Sequence, residues 1–294
     1  RWQSGWQHYE ARWATDNPVF APRHPQVQVW NGESLDGKRL LFFAEQGFGD
    51  TLQFCRFAPM LAGAGATVIV ECQPGLKSLL QSLPGIETVF EQGEPLPKVN
   101  YKLPMMSAPL VFGVTPDSIP NNPSGGYLSM PAFDGLEETG RLKVGLVWAG
   151  RDRAVLNNRS LPSELLPALL QQTEGVIDWF SLQKDEPTEA IETISTAPNV
   201  TRMATQMTDF ASTARLINAM DLVVTIDTAM AHLAGALGQR TWVMLSHSPD
   251  WRWMLQRDDS PWYPNSRLFR QPTPGDWESV IGQVRAELSR LAGR

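Results

Sequence analysis

The sequence predicts an α/β protein of two Rossmann-like halves facing each other across a cleft, on three observations. In DLVVTIDTAMAHLAGALG (Asp221 to Gly238), an apolar strand from Leu222 to Ile226 ends at Asp227 and passes through Thr228 into a helix of small residues. Such a junction aims the first N–H groups of the helix beyond the sheet edge, where they suit a phosphate. A second junction, LLFFAEQGFGDTLQFCRF (Leu40 to Phe57), repeats the form with a Gly-rich turn. Around both, apolar runs of strand length alternate with helical stretches, the pattern of parallel sheets.

Residues 1–31 read as a helix and connector. In RWQSGWQHYEARW, Trp2, Trp6, Tyr9 and Trp13 recur at spacings of four, three and four, an aromatic stripe on one helical face. The stripe needs a partner surface, either the following domain or helices upstream. Asn17 to Pro25 is Pro-rich and extended. The first domain, 32–135, holds strands at Arg39–Ala44, Thr67–Glu71 and Glu87–Phe90 and helices at Thr51–Ala62 and around Leu76–Ser82. Its end is loop-rich, with MMSAPLVFG as a strand edge plus a short helix and a hinge between Pro131 and Arg141. The second domain, 141–275, opens on the strand KVGLVWAG. Further strands follow at Asp178–Leu182, Asn199–Arg202, Leu222–Ile226 and Thr241–Leu245, with helices from Pro162, at Phe210–Ala219 and at Ala229–Leu237. Residues 276–294 form an amphipathic helix with Val280, Ile281, Val284, Leu288 and Leu291 on one face.

Composition narrows the function classes. With 294 residues, 42% hydrophobic and 19% charged, the chain has enough material for two globular cores. A net charge of −6 argues against nucleic acid as a partner. No run of 18 apolar residues suggests a transmembrane segment, and the start lacks a signal-peptide pattern. Cys55 and Cys72 have neither metal-ligand nor disulfide spacing, as expected of free thiols in a cytoplasmic protein. The four histidines are scattered, and no metal site is expected. Eleven tryptophans mean core or interface packing, with sugar or base stacking the other use of such rings.

The chemistry-bearing residues lie at strand ends. In EQGFGDT, Gly47 and Gly49 allow a tight turn and close approach, and Gln46 flanks them. Asp50 begins the next helix. It reads either as a capping carboxylate or as a general base, and a helix N-terminus weakens it in the second role unless burial offsets the dipole. The loop GRDRAVLNNRSLP brings Arg151, Arg153 and Arg159 to a strand end, where they serve as solvated charges or as phosphate ligands. Lys184 after its strand has the same two readings. Asp227 either caps its helix or accepts hydrogen bonds from ligand hydroxyls. His232 lies one turn beyond Thr228 on the same face, where a histidine is more often a satisfied core residue than a ligand.

These segments carry a resemblance. GFGDTLQFCRFAPMLAGAGA, the loop with NRSLP, and DTAMAHLAGALG together resemble the heptosyltransferase-type, family 9-like glycosyltransferases of the GT-B fold. GWQHYEARW, SPDWRWML and SPWYPNSRLFRQ are similar to a bacterial subgroup in which such a domain follows tetratricopeptide repeats, as in protein O-glycosylating enzymes. The resemblance spans Trp6 to Val284. It implies Asp50 as catalytic base, Arg159 as phosphate ligand, and Asp227, Thr228 and Ala229 as the donor loop. From their places at the strand ends, Lys184 and His232 are expected with the donor, and Gln46, Gly47 and Gly49 on the acceptor side. The family's Asp-Thr-Gly is Asp-Thr-Ala here, and its Lys-Trp-Pro is replaced by Arg-Ser-Leu-Pro, which argues against assuming ADP-heptose as donor. The implied activity is an inverting, metal-independent transfer from a nucleotide-sugar, a substrate rather than a cofactor, to an acceptor protein or glycan. The final helix is expected to cross back to the first domain. Two alternatives stay open: a nucleotide-sugar epimerase using Glu45 or Asp152, and a noncatalytic nucleotide-sugar- or protein-binding module.

Overall fold

A computed structural model of the chain describes residues 1–17, 22–121, 124–150, 159–171, 175–185 and 188–293. The chain forms two compact units, Arg1–Pro123 with Tyr127–Ser129, and Ser124–Gly126 with Met130–Arg294.

The first unit begins with helix α1 (Trp2–Tyr9) and a 3-10 turn to Ala14. Its strands are β1 (Gln28–Val29), β2 (Arg39–Phe43), β3 (Thr67–Cys72), β4 (Ile86–Glu91) and β5 (Tyr101–Pro104), paired in parallel in the order β1-β5-β2-β3-β4. Both faces of β2 and β3 are covered, which is why they read as largely apolar runs instead of alternating ones; the buried exception, Glu71 in β3, lies against Arg23 and His24. The helices are α2 (Phe48–Phe54), α3 (Ala58–Gly63), α4 (Lys77–Leu80) and α5 (Ala108–Val111). The single helix expected over Thr51–Ala62 is broken by a 3-10 turn at Cys55–Phe57, because Pro59 has no N–H to continue an α-helical ladder and instead sits in the first turn of α3.

The aromatic stripe docks within this unit. Trp6 is buried and its Nε1 donates to the Val114 carbonyl at 2.8 Å. Tyr9 Oη donates to Met106 Sδ at 3.6 Å, and Trp13 packs on the face built by Leu41, Phe43, Ile69 and Phe90. Residues 1–31 therefore belong to the first compact unit, while Trp2, Tyr9 and Trp13 stay partly exposed.

The second unit contains β6 (Leu142–Leu146), β7 (Ile177–Ser181), β8 (Val200–Arg202), β9 (Leu222–Ile226), β10 (Thr241–Leu245) and β11 (Ser266–Arg270), again parallel, in the order β11-β10-β9-β6-β7-β8. Helices α6 (Leu166–Leu170), α7 (Thr188–Thr196), α8 (Phe210–Asn218), α9 (Ala229–Ala236) and α10 (Trp277–Leu291) accompany them. The unit starts earlier than the expected hinge. Asn218 Nδ2 donates to the Met130 carbonyl at 2.6 Å and Phe133 N to the Arg215 carbonyl at 2.8 Å, so residues 130–135 belong here.

The expectation for the last helix is also corrected. Trp277, Val280, Ile281, Val284 and Leu288 of α10 are buried in one core with Val144, Trp179 and Leu222, and the helix is part of the second unit. Its start is fixed by Asp276, whose Oδ1 accepts the Ser279 N–H at 3.0 Å.

Candidate functional site

In the second sheet the chain starts on the central strand β6, builds outward through β7 and β8, then returns to the other side; in the first, β2, β3 and β4 build outward before β5 returns to pair between β2 and the edge strand β1. The strand order reverses between β2 and β5 in the first unit and between β6 and β9 in the second. The carboxyl ends of strands at such a switch point are where open α/β sheets leave a crevice for ligands.

At the second switch point, β9 ends in Asp227 and Thr228. Thr228 is the N-cap of α9, its hydroxyl accepting the Met230 N–H at 3.3 Å, while Ala229 opens the helix with an N–H that no intrahelical carbonyl can reach. From β6 the chain runs through Trp148 and Ala149 to Gly150, whose N–H donates to Ser160 Oγ at 3.1 Å. A Cβ on Gly150 would lie 3.4 Å from Thr228 Cγ2, in ordinary van der Waals contact, which shows how near the ends of β6 and β9 lie to each other. Gln183, buried after β7, locks this loop: its Oε1 accepts from Trp148 N and Ala149 N at 3.3 and 3.0 Å, and its Nε2 donates to the Ala149 carbonyl.

Asp227 is only 5% exposed, and its Oδ2 makes no hydrogen bond among the described residues. Among the described residues the nearest cation is Arg159 Nη1 at 3.9 Å, on a side chain that is 43% exposed. Burial pushes the Asp227 carboxyl above the usual carboxylate range; the Trp253 indole N–H, Arg159 and Arg252 restrain the rise, and Asp250 adds to it. An unsatisfied, desolvated carboxylate beside a half-exposed guanidinium and a helix start is an arrangement that a ligand with hydroxyls and phosphate would complete.

The other expected donor residues fall differently. Lys184 is exposed, and its Nζ donates to the carbonyls of Met207 at 2.5 Å and Ala204 at 3.3 Å, which ties much of its hydrogen-bonding capacity to the loop after β8. His232 is buried, with Nδ1 2.7 Å from Tyr263 Oη and its ring stacked on Trp253, so its immediate role is packing. Arg151, Asp152 and Arg153 lie outside the described residues.

At the first switch point, Glu45 follows β2. It is 8% exposed and pairs with Arg12, whose Nη2 donates to both carboxylate oxygens at 3.0 and 3.1 Å. Glu45 also accepts the Met106 N–H at 3.1 Å, next to the end of β5. Arg12 reaches Glu10 at 2.8 Å and Ser107 Oγ at 2.8 Å as well. Burial pushes the Glu45 carboxyl up to about 7 against the pull of Arg12. The N-terminal segment thus fills this strand end. Glu45 is committed to it, which removes Glu45 from the epimerase alternative.

The acceptor-side turn comes next. Gln46 Nε2 donates to Tyr9 Oη at 2.8 Å, and the Gln46 carbonyl accepts from Gln73 at 2.7 Å. Gly47, the N-cap of α2, is extended (φ −76°, ψ 171°), and neither it nor Gly49 has a positive φ. The requirement at Gly47 is space, since a Cβ there would sit 3.3 Å from Asp50 Oδ2. Asp50 reaches back to accept the Gly47 N–H at 2.8 Å, so it is a capping carboxylate in the third position of α2.

Arg12, Gln183, Trp253 and Tyr263 were not expected at these sites. Trp253 and Tyr263 lie in the quoted SPDWRWML and SPWYPN segments, but one-dimensional spacing does not place them beside Asp227.

Among the described residues, no group of three or more His, Cys, Asp or Glu side chains is placed to hold a metal ion, and no helix is long and apolar enough to cross a membrane.

The parallel sheets and reversed strand order define a GT-B glycosyltransferase fold, which similarity to solved structures bears out. The glycosyl transferase family 9 protein of Veillonella parvula superposes with a TM-score of 0.61 at 12% identity, covering 88% of this chain and 98% of that one. The ADP-heptose LPS heptosyltransferase II of E. coli gives 0.58 at 14% identity, covering 86% and 99%. Residues 163–271 match the sequence model of glycosyltransferase family 9 (heptosyltransferase), so the family resemblance is established over the stretch that carries Lys184, Asp227 and Thr228. Protein FlbA of Caulobacter vibrioides is 27% identical over 98% of this chain, which spans about half (52%) of the length of that relative.

Proposed function

We propose that the chain is a glycosyltransferase that binds a nucleotide-sugar at the second switch point and transfers the sugar to an acceptor hydroxyl. The observation that carries this is Asp227, which lies with Thr228 and Ala229 inside the stretch that matches family 9: a buried carboxylate lacking a hydrogen bond at Oδ2 among the described residues, with Thr228–Ala229 opening a helix and Arg159, just before that stretch, beside it. Asp227 accepts sugar hydroxyls. Arg159 and the Thr228 and Ala229 N–H groups meet the phosphates, and Lys184 contributes if it leaves its carbonyl partners.

The reaction is an inverting displacement. Asp50 takes the acceptor hydroxyl's proton, the acceptor oxygen bonds to the anomeric carbon, and the bond from that carbon to the phosphate oxygen breaks. The nucleoside diphosphate leaves with the electron pair, its charge held by Arg159 and the helix start. These fixed groups support a metal-independent transfer, to be tested by activity in the presence of a chelator. The acceptor is a protein or a surface glycan. Buried free thiols at Cys55 and Cys72, pushed up to about 12 by burial, support a cytoplasmic protein.

Incubation with a panel of nucleotide-sugars, with release of nucleotide and sugar transfer followed separately, tests the reading. Transfer coupled to nucleotide release supports it. Binding without turnover would leave a noncatalytic module, and isomerised nucleotide-sugar would indicate an epimerase.

A further inference from the structure

Asp227 is not the only orphaned polar group at its strand end. The Nε1 of Trp253 is also buried without a hydrogen bond among the described residues, on a side chain 1% exposed. Trp253 ends a short 3-10 turn (Trp251–Trp253) in the loop after β10, the strand beside β9. Its plane is fixed from behind by α9, the helix that Asp227 and Thr228 introduce. His232 stacks on the indole with ring centroids 5.6 Å apart and planes 25° from parallel. Tyr263 packs against both rings, at 5.7 Å from His232 and 6.1 Å from Trp253, and its hydroxyl meets His232 Nδ1 at 2.7 Å. Gly235 makes this possible: a Cβ there would lie 2.3 Å from the Tyr263 ring, so a larger residue on α9 would push the tyrosine away. From the same loop, Asp250 caps the turn and holds Arg252 at 2.9 Å.

We infer that Trp253 is a positioning residue for Asp227: its indole N–H faces the carboxylate and orients it, and His232 and Tyr263 act through Trp253 by fixing the plane of the indole. This rests on the reading of Asp227 as the group that receives sugar hydroxyls. It gives His232 a part in the site without ligand contact, and it joins the SPDWRW and PWY segments to the donor strand end. The single donor of an indole suits the task, because it has one direction and cannot rotate independently of its ring. An Asp227 held in this way presents its remaining acceptor capacity in a fixed orientation, which lets a site discriminate between sugars differing at one hydroxyl.

The groups facing Asp227 that carry or change charge are Arg159, Arg252 and Asp250, with His232 one ring further away behind Trp253. The pairing is tested first without any ligand. In protein carrying ¹⁵N-tryptophan, the Trp253 indole cross-peak is assigned by its loss in Trp253→Phe. Should that variant not fold, contacts to the His232 and Tyr263 rings assign it instead. The peak is expected to move with pH, with a midpoint above the ordinary carboxylate range, and the movement is expected to vanish in Asp227→Asn. A peak that does not titrate, or one that titrates unchanged in Asp227→Asn and so follows His232, overturns the inference.

The functional half compares ADP with ADP-heptose, and UDP with UDP-glucose, by calorimetry on the wild-type chain and Trp253→Phe. Loss of a hydrogen bond to a charged group should weaken the nucleotide-sugar that the wild type binds by about tenfold or more and leave its free nucleoside diphosphate unchanged. Equal weakening of both would mean general damage to the unit and would contradict positioning. A positive cross-peak test in a protein that transfers no sugar would sink the functional reading while leaving the Trp253–Asp227 pairing intact.

Discussion

The two strand-order reversals use the same topology to opposite ends. In the first unit the crevice beyond β2 and β5 is occupied by the chain itself: Arg12 enters it, Glu45 receives a bidentate ion pair, and Met106 completes the set. In the second, the crevice beyond β6 and β9 contains a carboxylate as deeply buried as Glu45, yet its nearest cation among the described residues is 3.9 Å away and more than a third exposed. Both carboxylates are shifted upward by burial, but only Glu45 is matched by a close internal guanidinium. A buried charge with its own partner holds structure together, whereas one without a full complement of partners is a place for a ligand. In the proposed function this difference is the reason for seeking nucleotide-sugar binding at the strand end of the second unit, with Asp50 of the first as the proposed base.

The largest expected effect lies on that turn. Asp50→Asn keeps the size of the residue and an acceptor for the Gly47 N–H, and so preserves the start of α2 while removing the basic carboxylate. Transfer should fall by about 100- to 10,000-fold, with nucleotide affinity unchanged. Full activity would make Asp50 a cap alone, and lost nucleotide binding would move it to the donor side.

Next in size is the plug. Arg12→Met leaves Glu45 buried without its cation and should destabilise the chain by about 3–5 kcal/mol, read from denaturant melts. Arg12→Met with Glu45→Met should recover most of that loss, because two apolar groups leave no charge stranded. If Arg12→Met is as stable as wild type, the N-terminal segment is not held by this pair. The pair also has a pH signature. The folded-state value of Glu45, about 7, lies above its ordinary 4.5, so the folded chain holds that proton more tightly than the unfolded one. Its contribution to stability is full below pH 4.5 and is lost as pH rises through about 7. The decline should extend to higher pH in Arg12→Met, where the raised carboxyl loses its counter-charge.

A smaller effect is expected at Arg159. Its side chain is half-exposed, so Arg159→Ala should leave stability nearly unchanged. A charge-assisted contact to phosphate is worth about 1.5–3 kcal/mol, and nucleoside diphosphate affinity should drop by about 10- to 150-fold. Unchanged affinity in calorimetry would remove Arg159 from the site.

Much of the architecture was legible because parallel strands covered on both faces must be largely apolar. β2, β3, β6, β9 and β10 announce themselves in that way. β5 and β11 do not, because Lys102 and the two arginines of β11 interrupt runs too short to show through them, whereas Glu71 in β3 and Lys143 in β6 sit near a strand end. Lys102 in β5 donates to the carbonyls of Arg23 and His24, and Arg270 in β11 donates to those of Trp253 and Arg257. The aromatic stripe was legible as a docking face, but nothing in its periodicity says which surface it docks on. At the site, Asp50 and Asp227 could be found because each follows a strand end. Arg12 and Trp253 could not, since each reaches its carboxylate from a distant part of the sequence.

The contrast between the two strand ends is tested most directly by amide hydrogen exchange on the full chain, with and without a saturating nucleoside diphosphate chosen by a thermal-shift screen of UDP, GDP, ADP, CMP and dTDP. The predicted result is added protection at Gly150 and over Thr228–Ala231, with the rates of Glu45–Asp50 unchanged. Protection confined to Glu45–Asp50, with the Thr228 region untouched, would contradict the account by placing the nucleotide on the unit whose crevice Arg12 fills.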